Sequence, residues 1–350
     1  MGMCYPIDVA MPGAVSLGHD IVCDGFLLAC KARVQTHVHV DHMGDFDTSK
    51  GFQDILLSRA THQLICLERN AELPYRSNLQ VLAEGSAYSI GESTVTLLPN
   101  GHMLGSVQVQ VELQDGRRLG YSGDFQWPLD RVIVVDALVV DSTYGNPASV
   151  REYSQAECET GLLELVHRQL ARGPIHIFAH RGTLQRALQI LSGNVESPLL
   201  GSRRLCREVH LYRTFGYAIQ PLVATDSDEG IEARQAGRFI WFYGTGDKRP
   251  VDIGEGATIS LSAYFARRDD PIMEYSERAY GVALSNHADF NGTLAYVEAT
   301  GARFVVTDNS RSGKGYELAL EIKHRLGIEA QPSSNFESKE WGRGPLDSGA

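Results

Sequence analysis

The chain of 350 residues predicts an α/β protein, and three observations carry that class. Short apolar runs such as Ile55-Leu56-Leu57 and Ala137-Leu138-Val139-Val140 read as buried strands. Segments with helical spacing lie between such runs. The strand at 175–178 followed by the helix at 184–191 is one such unit and points to a second, parallel sheet. Third, polar residues gather where strands end: the 37–42 loop, His102, Asp124, Asp141, His287 and Asp308. Strand ends can converge on one edge of a sheet, so these residues are candidates for a shared site.

Composition bounds the function. Hydrophobic residues make up 43% and charged ones 21%, ordinary for a soluble globular protein. The length suffices for one large or two medium domains. A net charge of −11 gives no global basic footprint. A nucleic-acid partner must therefore be met by a local basic patch or by bound metal. The six cysteines form no Cys-x-x-Cys pair and read as scattered thiols of a reducing cytoplasm. No signal peptide is evident, and no stretch nears the ~18–20 apolar residues that span a bilayer. A cytoplasmic protein with no membrane partner is expected.

Taken in order, residues 14–17 and 21–23 are paired strands around Gly18-His19-Asp20. The strand at 32–35 runs into Thr36-His37-Val38-His39-Val40-Asp41-His42. Three imidazoles and a carboxylate within six residues are the ligands of Zn²⁺ or a similar first-row metal. With 12 histidines in the whole chain, such a cluster does not arise from composition alone. A buried strand at 55–57 and a helix at 60–70 follow, with His62 at its surface. Residues 81–98 hold two strands around Gly91. His102 then sits in the glycine-flanked loop Gly101-His102-Met103-Leu104-Gly105-Ser106. The alternating strand 107–113 turns at Asp115-Gly116 into 118–122, which ends in Gly123-Asp124-Phe125. The run 137–140 ends in Asp141-Ser142-Thr143-Tyr144-Gly145.

The helix expected over 152–171 carries His167 on its surface. In the strand at 175–178, His176 alternates with apolar residues, and the sequence leaves both it and His180 ambiguous, a polar face being one reading for His176. Residues 193–237 read as less regular, with a basic stretch at Arg203, Arg204, Arg207 and Arg213 and an acidic turn at 226–232. Strands are expected at 239–242, 258–261 and 281–284, the last running into Ser285-Asn286-His287-Ala288-Asp289-Phe290. A helix over 291–300, a strand over 303–306 and a helix over 315–326 complete the fold. Residues 331–350 read as a disordered tail. Gly313-Lys314-Gly315 is not a P-loop, Gly244-Thr245-Gly246 lacks the third glycine of a dinucleotide fingerprint, and there is no Gly-x-Ser-x-Gly elbow.

The ordered set His37-x-His39-x-Asp41-His42, His102, Ser-Gly-Asp124-Phe, Asp141-Ser-Thr-Tyr-Gly and Ser-Asn-His287-Ala-Asp-Phe resembles the metallo-β-lactamase fold and, within it, the β-CASP-type nucleases. Phe178-Ala-His-Arg-Gly-Thr-Leu-Gln-Arg-Ala-Leu-Gln resembles that family's entry into its inserted domain. The resemblance covers about residues 14–330. It implies an αββα metallo-β-lactamase sandwich made of residues 1–150 and 275–330. A shortened β-CASP-like α/β domain is then inserted at 151–274, and 331–350 is left as the tail.

The resemblance also implies roles. His37, His39 and His102 would hold one metal, Asp41 and His42 the other, with Asp124 bridging. Two Zn²⁺ are expected, with Mn²⁺ as the alternative at the second position. Two such ions share a hydroxide and polarise a phosphoryl oxygen. Asp41 joins the catalytic set. His287 is the candidate acid for the leaving oxygen, oriented by Asp141, which would raise its pKa. RNA-processing members place a ligand histidine where this chain has Asp308. A carboxylate there still binds metal, and loss of the histidine resembles the DNA-repair branch. Leu-Ser-Asn-His-Ala-Asp-Phe and Val-Glu-Ala-Thr-Gly-Ala-Arg look most like DNA-ligase-associated exonucleases, which favours DNA over RNA. Arg267, Arg268 and Ser310 are candidates for substrate phosphate.

Two other classes compete. A small-molecule hydrolase of the same fold predicts neither an Asp141–His287 pair nor an insert. A non-catalytic nucleic-acid-binding scaffold predicts lost ligands, whereas the first motif, His102 and Asp124 all remain. Polarity, endo- or exonuclease action, homo-oligomerisation and protein partners stay open at the level of sequence.

Overall fold

The computed structural model describes residues 5–333 except 11, 70–71, 249–253, 255, 266 and 312. The expected tail at 334–350 therefore lies outside the described residues. The chain forms two compact units, one made of residues up to Ser149 with those from His287 onward, the other of Val150–Asn286.

The first unit contains two sheets. One is six-stranded, in the order β1 (Ile7–Ala10), β2 (Ala14–Leu17), β3 (Ile21–Cys23), β4 (Ala32–Gln35), β5 (Asp54–Ser58) and β6 (Leu79–Leu82). Its first three strands are antiparallel, and β3 through β6 run parallel. The helices α1 (Phe46–Phe52) and α2 (Arg59–Glu68) connect β4, β5 and β6 and pack on that sheet. The other sheet is seven-stranded. It includes β7 (Ala87–Ile90), β8 (Ser93–Pro99), β9 (Val107–Leu113), β10 (Arg118–Tyr121) and β11 (Ala137–Val140). Late in the chain β19 (Phe304–Thr307) and β20 (Glu329–Pro332) add to it parallel to β11. The helices α7 (Phe290–Thr300) and α8 (Gly315–Leu326) belong to this half, α8 lying on β19 and β20.

Alternation explains the sandwich. In β9, Val107, Val109 and Val111 turn to the core, where they meet Leu97 of β8, Leu119 of β10 and Val139 of β11. From the first sheet Val9, Val15, Leu17, Val34 and Leu56 enter the same cluster. Each fully buried valine or leucine contributes about 1.5–3 kcal/mol relative to exposure. Helix, two facing sheets and helix make this unit an αββα sandwich.

The second unit has its own seven-stranded sheet, ordered β14-β13-β15-β12-β16-β18-β17. The strands are β12 (Ile175–Ala179), β13 (Leu199–Gly201), β14 (Val223–Ala224), β15 (Ile240–Tyr243), β16 (Ala257–Leu261), β17 (Ile272–Ser276) and β18 (Ala279–Val282). All pairings are parallel except that of the edge strand β17. Its helices are α3 (Gln155–Leu170), α4 (Thr183–Leu191), α5 (Arg203–Thr214) and α6 (Asp228–Ala236).

The structure differs from the sequence expectations at four places. Residues 193–237 are regular, because α5 buries Leu205, Val209 and Tyr212 on one stripe between its arginines. The acidic stretch at 226–232 is a helix start: Ser227 caps α6, and Asp228 and Glu229 face its positive N-terminal end. The second stretch of the sandwich unit begins at His287 rather than 275, because β17 and β18 pair into the other unit's sheet. Residues 331 and 332 are not tail but part of β20, held by its ladder to β19. His176, whose side the sequence left open, lies in the core. It is 5% exposed and packed among Phe239, Trp241 and Tyr243.

Candidate metal centre

The His-rich loop leaves β4 with its backbone pinned from behind. Arg33, fully buried, donates to the carbonyls of Gly44 at 2.7 Å and His42 at 2.9 Å. Burial pushes its guanidinium down to about 10, so it remains charged near neutral pH. Gln35 Nε2 donates to His37 O at 2.6 Å and His42 O at 3.0 Å. With its carbonyls held, the loop turns through a 3-10 turn (Val40–His42).

His37, His39 and His102 stand edge to face around a common point. Their ring centroids lie 4.8, 5.0 and 4.8 Å apart with interplanar angles of 80°, 77° and 86°. Asp124 closes the group, with Oδ2 3.6 Å from both His37 Nε2 and His102 Nε2. One ligand atom from each of the four lies within 4.8 Å of the others. Tautomers follow from the neighbours. Thr36 gives its hydroxyl proton to Asp24 Oδ2 at 2.5 Å, so its oxygen accepts from His37 Nδ1 at 3.0 Å. His37 Nε2 is then left as a lone-pair donor, and it is buried without a hydrogen bond. Burial, the largest influence, pushes His37 well below the ordinary imidazole value and His39 down to about 3. Neutral imidazoles, a carboxylate and an orphaned buried nitrogen fit a Zn²⁺-type ion. Backbone permissiveness places Asp124: Gly123 has φ +55, and a Cβ there would meet Val107 O at 2.9 Å.

A second group adjoins the first. His42 Nδ1 bonds Asp24 Oδ2 at 2.8 Å, while its Nε2 lies 3.1 Å from Asp124 Oδ1 and 3.8 Å from Asp41 Oδ2. Burial opposes a charge on His42, but the Asp124 carboxylate outweighs it and raises the imidazole to about 10. Burial likewise opposes charge on Asp124, and His42 beside it holds that carboxyl well below its usual range. Asp24 was not among the residues singled out from sequence. Its backbone has φ 53, and its carboxylate also accepts from Thr36 N at 2.8 Å and Gln35 Nε2 at 3.3 Å. An Asp-Gly turn directly after a strand was the only signal for it.

Asp308 is placed differently from its expected role as a ligand. Its Oδ1 accepts from Ser310 N at 2.8 Å and Ser310 Oγ at 2.6 Å, and its Oδ2 is ion-paired with Arg311. Among the described residues it belongs to neither cluster of candidate ligands. Ser310, expected to meet substrate, is 9% exposed and turned to Asp308. Arg267 and Arg268 are exposed residues of the second unit, and Arg268 pairs with Glu152 at 2.6 Å.

His287 and Asp141 meet beside the four-residue cluster. His287 Nδ1 is 3.2 Å from Asp141 Oδ2, and its Nε2 is 3.9 Å from Asp124 Oδ2. The ring packs on that of His102 at 4.5 Å. Asp141 is itself held, since its Oδ1 accepts from Thr143 N at 2.8 Å and Thr143 Oγ1 at 2.7 Å.

No family model matches the chain. It is 31% identical over 122 residues to an uncharacterized protein in the lig 3′ region of Acidianus ambivalens, covering 34% of this chain and 86% of that one. It is 26% identical over 208 residues to an RNase J-like protein of Methanocaldococcus jannaschii, covering 53% and 47%. It is 25% identical over 313 residues to a probable DNA ligase of Opitutus terrae, covering 84% of this chain but 28% of that one. The chain thus spans less than half the length of the last two relatives. A crystal structure of a protein of unknown function from Enterococcus faecalis V583 shares the fold, with a TM-score of 0.53 at 13% identity over 79% of this chain and 74% of that one.

Proposed function

Because the chain belongs to the β-CASP-type nuclease family of the metallo-β-lactamase fold, we propose that it is a metal-dependent nuclease hydrolysing phosphodiester bonds, with DNA preferred over RNA. The observation that carries this reading is the His287–Asp141 pair standing beside the His37, His39, His102 and Asp124 cluster. His37, His39, His102 and Asp124 would hold Zn²⁺ or Mn²⁺, which when bound would supply Lewis acidity toward a phosphoryl oxygen and lower the pKa of water.

The chain's own residues do the rest. His287 presents Nε2 toward the centre while Asp141 holds Nδ1, so a proton at Nε2 is positioned for a leaving oxygen. Thr143 fixes the other oxygen of Asp141, which prevents the carboxylate from rotating away. Arg33 and Gln35 keep the ligand loop in place. A small-molecule hydrolase of the same fold predicts no such pair, so its presence favours the nuclease reading. The match along 84% of this chain to a probable DNA ligase supports a DNA substrate. Nothing in this reading involves a membrane: among the described residues no helix is long and apolar enough to cross one. A cytoplasmic setting belongs to the same proposal.

The test is a cleavage panel on end-labelled single- and double-stranded DNA and RNA, with Zn²⁺ or Mn²⁺ added to apo protein. Metal-dependent cleavage of DNA, absent in His102→Ala, is expected. Undiminished cleavage in that variant overturns the site, and faster cleavage of RNA overturns the DNA preference.

A further inference from the structure

We propose that Arg311 is a positioning residue that occupies the second metal position's side of the centre as a fixed cation, so that the chain holds one metal ion tightly and a second only weakly. This rests on the metal-centre reading above. After β19 the chain turns back, and Arg311, 9% exposed at its side chain, reaches into the sandwich unit. Its Nη1 pairs with Asp308 Oδ2 and lies 3.4 Å from Tyr121 Oη. Its Nη2 donates to Gly13 O, and its Nε donates to Asp41 O at 3.2 Å.

One guanidinium therefore joins two residues expected to ligate the second ion. It neutralises the Asp308 carboxylate and anchors the backbone of Asp41. The first group keeps three imidazoles and Asp124. The second group keeps His42, whose Nε2 is buried 3.1 Å from Asp124 Oδ1, together with Asp41, whose side chain is 59% exposed. A dication placed there would lack the Asp308 ligand and would be repelled by a buried positive charge. The same charge is permanent, because a guanidinium does not titrate in the working range. It also cannot rotate out, because four partners on four chain segments hold it.

The test is metal binding rather than turnover. Apo wild-type protein is titrated with Zn²⁺ alone by calorimetry, and metal content is measured by elemental analysis after dialysis. One retained ion per chain is expected, with any second site weaker by about a hundredfold or more. Two ions of equal affinity overturn the inference. Arg311→Met releases the Asp308 carboxylate and is expected to raise retained metal from one to two. Asp308→Asn removes the ligand carboxylate while Arg311 keeps its charge, and is expected to stay at one. Arg311→Met folded but still at one overturns the inference, and if that variant does not fold the wild-type titration decides. A wild-type protein that retains no metal would overturn the metal-centre reading itself, whereas two equal ions would leave that reading standing.

Discussion

His287 Nδ1 lies 3.2 Å from Asp141 Oδ2, although 146 residues separate the two in the chain. The excursion between them builds a whole second unit, and His287 is the first residue of the chain's return to the sandwich unit. The pair is anchored at one end by Thr143 and faces Asp124 at the other.

That arrangement predicts a separation of chemistry from metal binding. His287→Ala should lower kcat by about 10²–10⁴-fold, the usual range for a general acid. Metal content, read by elemental analysis, should stay at the wild-type value. Equal loss of metal would show His287 to be a ligand.

Asp41 offers the complementary test. Its side chain is exposed, so Asp41→Ala should leave thermal stability within about 0.5 kcal/mol. Nuclease activity should vanish while the ion held by His37, His39, His102 and Asp124 is retained. Persistent full activity would remove Asp41 from the catalytic set.

Asp24 accepts from Thr36, Gln35 and His42 in a fully buried setting. Asp24→Ala leaves those donors unsatisfied and should cost about 3 kcal/mol in chemical denaturation. Metal affinity should fall about 10- to 100-fold, since the ligand orientation set by Thr36 and His42 is lost. A variant as stable and as metal-avid as wild type would contradict this supporting role.

The second unit should be acid-sensitive through His176. Burial lowers its pKa below 6.5, so the unfolded chain takes up a proton that the folded state resists. Stability from this group is intact above about pH 6.5 and falls as pH drops below it, down to the folded-state pKa. His176→Phe should flatten that slope in urea melts between pH 7 and 5. It also deprives Tyr243 of the 2.9 Å hydrogen bond to Nδ1, a pH-independent offset. An unchanged slope would exonerate His176.

Sequence by itself determined the sandwich and the candidate ligands that sit at strand ends. Period-two alternation in β9 and the apolar run of β11 announce buried strands directly. The six-residue histidine loop carries its chemistry within one turn of chain, and His102 and Asp124 follow glycines that mark special backbone. The helical stripe of α5 was hidden by interleaved arginines, and the start of α6 by acids that also suit a turn. Only the tertiary structure decided Asp24, Arg311 and the fate of Asp308. Each acts through partners distant in the chain: Asp24 on His42, Arg311 on Gly13 and Asp41. The physical reason is that a ligand's residue type is written locally, whereas a carboxylate's freedom to ligate depends on which cation folding brings beside it. For Asp308 that cation is three residues along, and its orientation is fixed by contacts nearly three hundred residues back.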